Sequence, residues 1–292
     1  MIVIVCTLRQ QTIIFHMRII KNKKFFRFNL LLSILFLSCG NSSMIKDPIP
    51  SHDSFKIVSK HVGETRTINV WIPEEYKKGS DSLPVMYMPD GGIEEDFPHI
   101  ANTFEKLIKE KKIPPMLLVG IENTQRRRDL TGKTEVEEDK TIAPIVGGSE
   151  SFRAFINDEL FIEINKRYRT SNKKGILGES LAGLFVVETF FLQPEMFDYY
   201  IAFDPSLWWN NHYLVKTANE NLASQPLKET KFWFAGSSAQ DIFVHTRELS
   251  KILTNSNAKG LQWNYSDEPS EKHATIFRAT KEKALIWSFG NE

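Results

Sequence analysis

The sequence predicts an α/β fold, with a mostly parallel central sheet and helices on both faces. Two observations carry this. Short apolar runs bounded by turn residues recur along the chain, as buried parallel strands require. The longer stretches between them repeat apolar residues at i, i+3 and i+4, the pattern of helices with one buried face. The chain has 292 residues and 41% hydrophobic content, enough for one large domain with a substantial core.

The elements follow in chain order. From Met17, a candidate start, the sequence reads Arg18, Lys21, Lys23, Lys24 and Arg27, then apolar Phe28 to Leu37, then Ser38-Cys39-Gly40. A basic segment, a short apolar core and a small-residue site make a secretory signal. The apolar part falls short of the about 20 residues that span a bilayer. Phe36-Leu37-Ser38-Cys39 resembles a lipobox, which would make Cys39 a lipidated first residue of an exported, membrane-anchored protein. The expected organisation is a leader over 1–39, a polar tether over 40–52 with Pro48 and Pro50, and a folded domain over 53–292.

Thr67 to Ile72 alternates apolar and polar residues, as a half-buried strand does. Pro84 to Met88, Met116 to Ile121, Ile176-Leu177, Tyr199 to Phe203, Phe232 to Ala235 and Leu261 to Tyr265 read as further strands. Helices are expected over Ala101 to Lys111, Phe152 to Tyr168, Leu184 to Leu192, Ile242 to Leu253 and Ala274 to Phe289. Phe152, Phe155, Ile156, Leu160, Ile164 and Tyr168 share one helical face. Thr131 to Glu150 is a polar loop of about twenty residues, a length usual for functional lids or disordered segments.

Composition excludes several functions. Lys+Arg number 37 against 36 Asp+Glu, so no basic surplus points to nucleic acid, and Arg126-Arg127-Arg128 is too short a run to alter that. The only cysteines, Cys6 and Cys39, lie in the leader. A disulfide framework, a thiolate nucleophile and a cysteine zinc site are therefore not expected in the folded domain.

Chemistry concentrates at Gly178-Glu179-Ser180-Leu181-Ala182-Gly183, between a strand-like and a helix-like run. A serine among small residues at such a junction is a nucleophile elbow: the turn is sharp, and the hydroxyl projects above the sheet edge. Its base should be a histidine oriented by a carboxylate, in the order Ser, Asp or Glu, His. His273 follows the last strand-like run and precedes the final helix, where the base belongs. His212 lies after a tryptophan pair, and His245 falls within a helical pattern. Asp241, after the strand Phe232 to Ala235, is the expected acid, with Asp204 at the end of the preceding strand as the alternative. The oxyanion donors are expected from the Leu181 N–H and from Gly91 or Gly92 in the Asp90-Gly91-Gly92 loop.

These residues, together with Val85 to Gly91, Gly120 to Asn123, Arg128 to Thr131, Phe152 to Arg169 and Asp204-Pro205-Ser206-Leu207-Trp208-Trp209, resemble the esterase D-like esterases of the α/β-hydrolase superfamily. Within them the likeness is to the branch of periplasmic siderophore-trilactone esterases, from about Thr65 onward. The resemblance implies an α/β-hydrolase fold and a serine esterase with Ser180, Asp241 and His273 as its triad. It places Arg128 near the substrate, with Trp208 and Trp209 beside its acyl or ring-bearing part, and implies no metal or organic cofactor. Two departures stand out: Ala182 replaces the usual glycine, and Asp204 replaces the usual serine. The expected partner is a small-molecule ester. An acyltransferase and a non-catalytic, ligand-binding surface lipoprotein are the rival readings.

Overall fold

Eight strands, numbered in chain order, form one sheet: β1 (Asp53–Val58), β2 (Thr65–Trp71), β3 (Leu83–Met88), β4 (Leu117–Ile121), β5 (Thr170–Glu179), β6 (Tyr199–Phe203), β7 (Thr230–Gly236) and β8 (Leu261–Asp267). The computed structural model describes residues 47–224, 228–256 and 258–290; the leader and Cys39 lie outside them. Across the sheet the order is β1-β2-β4-β3-β5-β6-β7-β8. β1 and β2 pair antiparallel, as do β2 and β4; every later pair is parallel. All seven expected strands form. β1 is an addition whose Phe55 and Ile57 alternate with exposed residues, too short a pattern to stand out in the sequence.

The connecting helices are α1 (Glu74–Lys78), α2 (Phe97–Lys109), α3 (Arg126–Asp129), α4 (Glu137–Ile142), α5 (Ser149–Phe155), α6 (Phe161–Arg167), α7 (Leu181–Leu192), α8 (Trp209–Lys216), α9 (Ala218–Ser224), α10 (Gln240–Asn255) and α11 (His273–Phe289). The expected helix over 152–168 is broken by a π turn, Ile156–Leu160, between α5 and α6. Strand β3 shows how the two faces are fed. Val85 and Tyr87 point into a core built with α5, α6, α7 and α10, while Met86 and Met88 point into one built with α2 and α11. From Leu181 to Phe191 only Glu188 is not fully buried, so α7 is apolar all round and lies inside the molecule.

Two loop expectations change. The polar stretch 131–150 is not structureless: it holds α4, and Asp139 is buried there, accepting from Thr134 Oγ1 at 2.6 Å and from the Asn210 N–H at 2.8 Å. Residues 47–52, read as part of a tether, pack on the domain. Pro48 O accepts from Asn102 Nδ2 at 2.8 Å, Asp47 pairs with Arg278, and His52 meets the Phe97 ring edge-on.

Candidate active site

Ser180 occupies the single residue between β5 and α7, with φ 59° and ψ −118°. A left-handed φ on a residue with a Cβ is strained, and this strain is what lifts the hydroxyl clear of the sheet. The turn requires its small neighbours. A Cβ on Gly178 would lie 2.7 Å from the Ala182 carbonyl carbon, closer than any side chain tolerates. The elbow is tied to the end of β6, because Ser180 N–H donates to Phe203 O at 3.0 Å and Ser206 N–H donates to Ser180 O at 3.1 Å.

His273, the first residue of α11, brings Nε2 to 3.1 Å from Ser180 Oγ. Its Nδ1 lies 2.6 Å from Asp204 Oδ2. The acid in contact with the histidine is therefore Asp204, not the expected Asp241. The reason lies in the backbone. Asp204 adopts a left-handed φ of 46° just past β6, its N–H donating to Ala235 O at 3.1 Å, and its fully buried carboxylate faces His273. Asp241 is exposed in the first turn of α10, where a carboxylate complements the helix N-terminus, and reaches His273 only as a distant charge. His212 and His245 stack on each other, ring centroids 4.8 Å apart, rather than approaching the serine.

The turn after β7 braces both partners. Ser237 donates to Asp204 from its N–H and its hydroxyl, while Ser238 donates to Glu271 O in the loop leading into His273, 2.9 Å from its N–H and 2.7 Å from its Oγ. The Asp204 carboxylate holds His273 above the ordinary histidine range. On the other side of the imidazole, Glu179 Oε1 stands 3.6 Å from Nε2, and burial pushes the Glu179 carboxyl up to about 7.

Leu181, at the first position of α7, has an N–H with no acceptor inside the helix. The Asp90-Gly91-Gly92 loop departs from expectation. Gly91 N–H donates to Ile121 O at 2.9 Å, and Gly92 N–H donates to Glu95 Oε2 at 2.7 Å, so both expected oxyanion donors are engaged. Gly91 is there for closeness: a Cβ would sit 2.2 Å from the Ile121 nitrogen.

Arg128 is likewise engaged elsewhere, its guanidinium bound to Glu64 Oε1 at 2.6 Å and to Asp129 Oδ1 at 2.8 Å. The arginine at the elbow is Arg126, forked on Asp90 at 2.6 and 2.7 Å with Nη2 3.5 Å from Glu179 O. Which arginine of Arg126-Arg127-Arg128 turns inward depends on the phase of α3, a single turn with no periodicity to read. Trp209 is buried and donates from Nε1 to Gly132 O at 3.2 Å; Trp208 is half-buried with its ring 5.9 Å from that of Trp209. Trp209 lines a cavity of about 440 Å³ along α7, with Lys133, Arg153, Leu184 and Tyr213. Among the described residues no cluster of His, Cys, Asp or Glu suits a metal ion.

A family model described as "Putative esterase" matches residues 59–284. The chain belongs to the esterase family. It is 28% identical over 193 residues to the ferri-bacillibactin esterase BesA of Bacillus subtilis, covering 59% of this chain and 66% of that protein. It is 27% identical over 248 residues to the apo-salmochelin esterase of Escherichia coli, covering 77% and 76%. Several of the curated relatives are matched over less than two thirds of their length. Among solved structures, an IroE-like serine hydrolase from Shewanella oneidensis superposes with a TM-score of 0.73 at 24% identity, covering 82% of this chain and 80% of that one. The α/β-hydrolase fold expected from the family resemblance is the fold these structures share.

Proposed function

We propose that this member of the esterase family is a serine esterase that cleaves small-molecule carboxylic esters, with Ser180, His273 and Asp204 as its triad. The observation that carries the reading is the bonded line from Ser180 Oγ through the His273 imidazole to Asp204. In the reaction, His273 Nε2 takes the Ser180 proton while Oγ bonds to the ester carbonyl carbon. Asp204 fixes the tautomer with Nδ1–H toward the acid and balances the imidazolium that forms. The carbonyl oxygen becomes an oxyanion facing the Leu181 N–H at the positive end of α7. The C–O bond to the alcohol then breaks, and Nε2–H passes its proton to the departing oxygen. Water, deprotonated by His273, attacks the acyl-serine, and collapse returns the proton to Oγ. A second oxyanion donor from the Gly92 loop requires Glu95 to release Gly92 N–H.

The names of the bacillibactin and salmochelin esterases make a siderophore lactone the first substrate class to try, with aryl and acetyl-sugar esters beside it. A panel of the three on wild type and Ser180→Ala tests the proposal. Activity that survives Ser180→Ala, or an intact protein unreactive to a fluorophosphonate probe, overturns it. The leader pattern supports export with a lipid anchor at Cys39, and among the described residues no helix is long and apolar enough to cross a membrane. Cys39→Ser should move the protein from the membrane to the soluble fraction.

A further inference from the structure

His273 has three polar neighbours, and the serine mechanism uses two. Nδ1 is 2.6 Å from Asp204, Nε2 is 3.1 Å from Ser180 Oγ, and the same Nε2 is 3.6 Å from Glu179 Oε1. Glu179 is the last residue of β5, so the strand that aims the nucleophile aims this carboxyl as well. We propose that Glu179 is a positioning residue for the base: its carboxylate competes with Ser180 for His273 Nε2, and so decides when the imidazole is free to activate the serine. The proposal rests on the triad reading above.

The chemistry follows from which partner Nε2 can serve. A neutral Nε2 carries a lone pair and accepts from Ser180 Oγ–H. A protonated Nε2 is a donor, and Glu179 Oε1 is then the anion beside it. Glu179 and His273 together can hold one proton in two ways: carboxylic acid with neutral imidazole, or carboxylate with imidazolium. The first arrangement can activate Ser180; the second cannot. The two groups therefore titrate as a pair.

The surrounding charges do not remove this coupling. Around Glu179 stand Asp90, Asp96, Arg126 and His273, and Arg126 is already forked on Asp90. Around His273 stand Asp204, Glu179 and Asp241, all of them carboxylates. Of the two cations near Glu179, Arg126 keeps its charge and is forked on Asp90, so His273 is the one whose charge can change, and burial favours the uncharged acid whenever the imidazole is uncharged. In turnover the same carboxylate flanks Nε2–H as it delivers its proton to the leaving oxygen.

The test compares wild type with the isosteric E179Q, by the pH profile of kcat/KM on the best ester of the panel and by NMR titration of the His273 ring without substrate. The expected result is an acid limb and a ring titration that both move down by about one pH unit, as loss of one adjacent opposite charge does. An unmoved ring titration in E179Q overturns the proposal. Should E179Q fail to fold, E179A decides by the same reading. The two proposals part cleanly. A shifted titration in a protein without esterase activity keeps the coupling and sinks the esterase reading; an active enzyme with an unshifted titration does the reverse.

Discussion

Ser237 donates two hydrogen bonds to Asp204, from its N–H to Oδ1 at 2.6 Å and from its hydroxyl to Oδ2 at 2.8 Å. Oδ2 also meets His273 Nδ1, so one oxygen of a wholly buried carboxylate serves two donors. An isolated buried carboxylate is costly, and these three donors offset that cost at the base of the site.

Asp204→Asn should lower kcat roughly a thousand- to ten-thousand-fold, because an amide in that place favours the wrong histidine tautomer. Asp241→Asn, at an exposed helix start, should stay within about threefold of wild type. Steady-state kinetics on both variants check the assignment, and the reverse order would return the acid to Asp241.

Ser237→Ala removes one of the two donors and leaves the backbone N–H. About a tenfold fall in kcat with little change in KM is expected, from one lost bond to a charged group. An unchanged kcat would show that the hydroxyl is dispensable.

A prediction of stability concerns the ion cluster that holds Arg128. Arg66 is 1% exposed and bound to Asp129 Oδ2 at 2.6 Å. Asp129→Ala leaves that buried guanidinium only the longer contact to Glu64 Oε2 at 3.4 Å and should cost about 3–5 kcal/mol, read as a lowered urea midpoint. A loss below about 1 kcal/mol would mean that water reaches Arg66.

Arg128 beside Glu64 holds that carboxyl down to about 2, from an ordinary 4.5. A depressed acid stabilises the fold fully above the ordinary value and loses its contribution as pH falls from about 4.5 to about 2. Thermal melts across that window should therefore drop more steeply for wild type than for Glu64→Gln. Parallel curves would show that the pair, partly open to solvent, is screened away.

Much of this arrangement was legible because it depends on local pattern. The strands that alternate with helices, the small residues around Ser180 and the place of His273 after the last strand are set by short-range rules. The acid was not legible in the same way. Asp204 and Asp241 both follow parallel strands, and only the left-handed turn at Asp204, fixed by pairing with Ala235, brings one of them to the histidine. That the Gly91 and Gly92 N–H groups are engaged was not legible for a related reason: their partners, Ile121 and Glu95, come from a neighbouring strand and a later turn. Ser237 and Ser238 stand in the turn after β7, and serines are common in turns, so their hydroxyls do not by themselves point to the acid.

The Asp47–Arg278 pair ties the start of the described chain to α11, five residues beyond the base at that helix's first position. A mooring line and a working part thus share one rigid rod. A load on the chain at Asp47 would reach α11, the helix that carries His273, through this pair, and α2 through the Pro48–Asn102 bond.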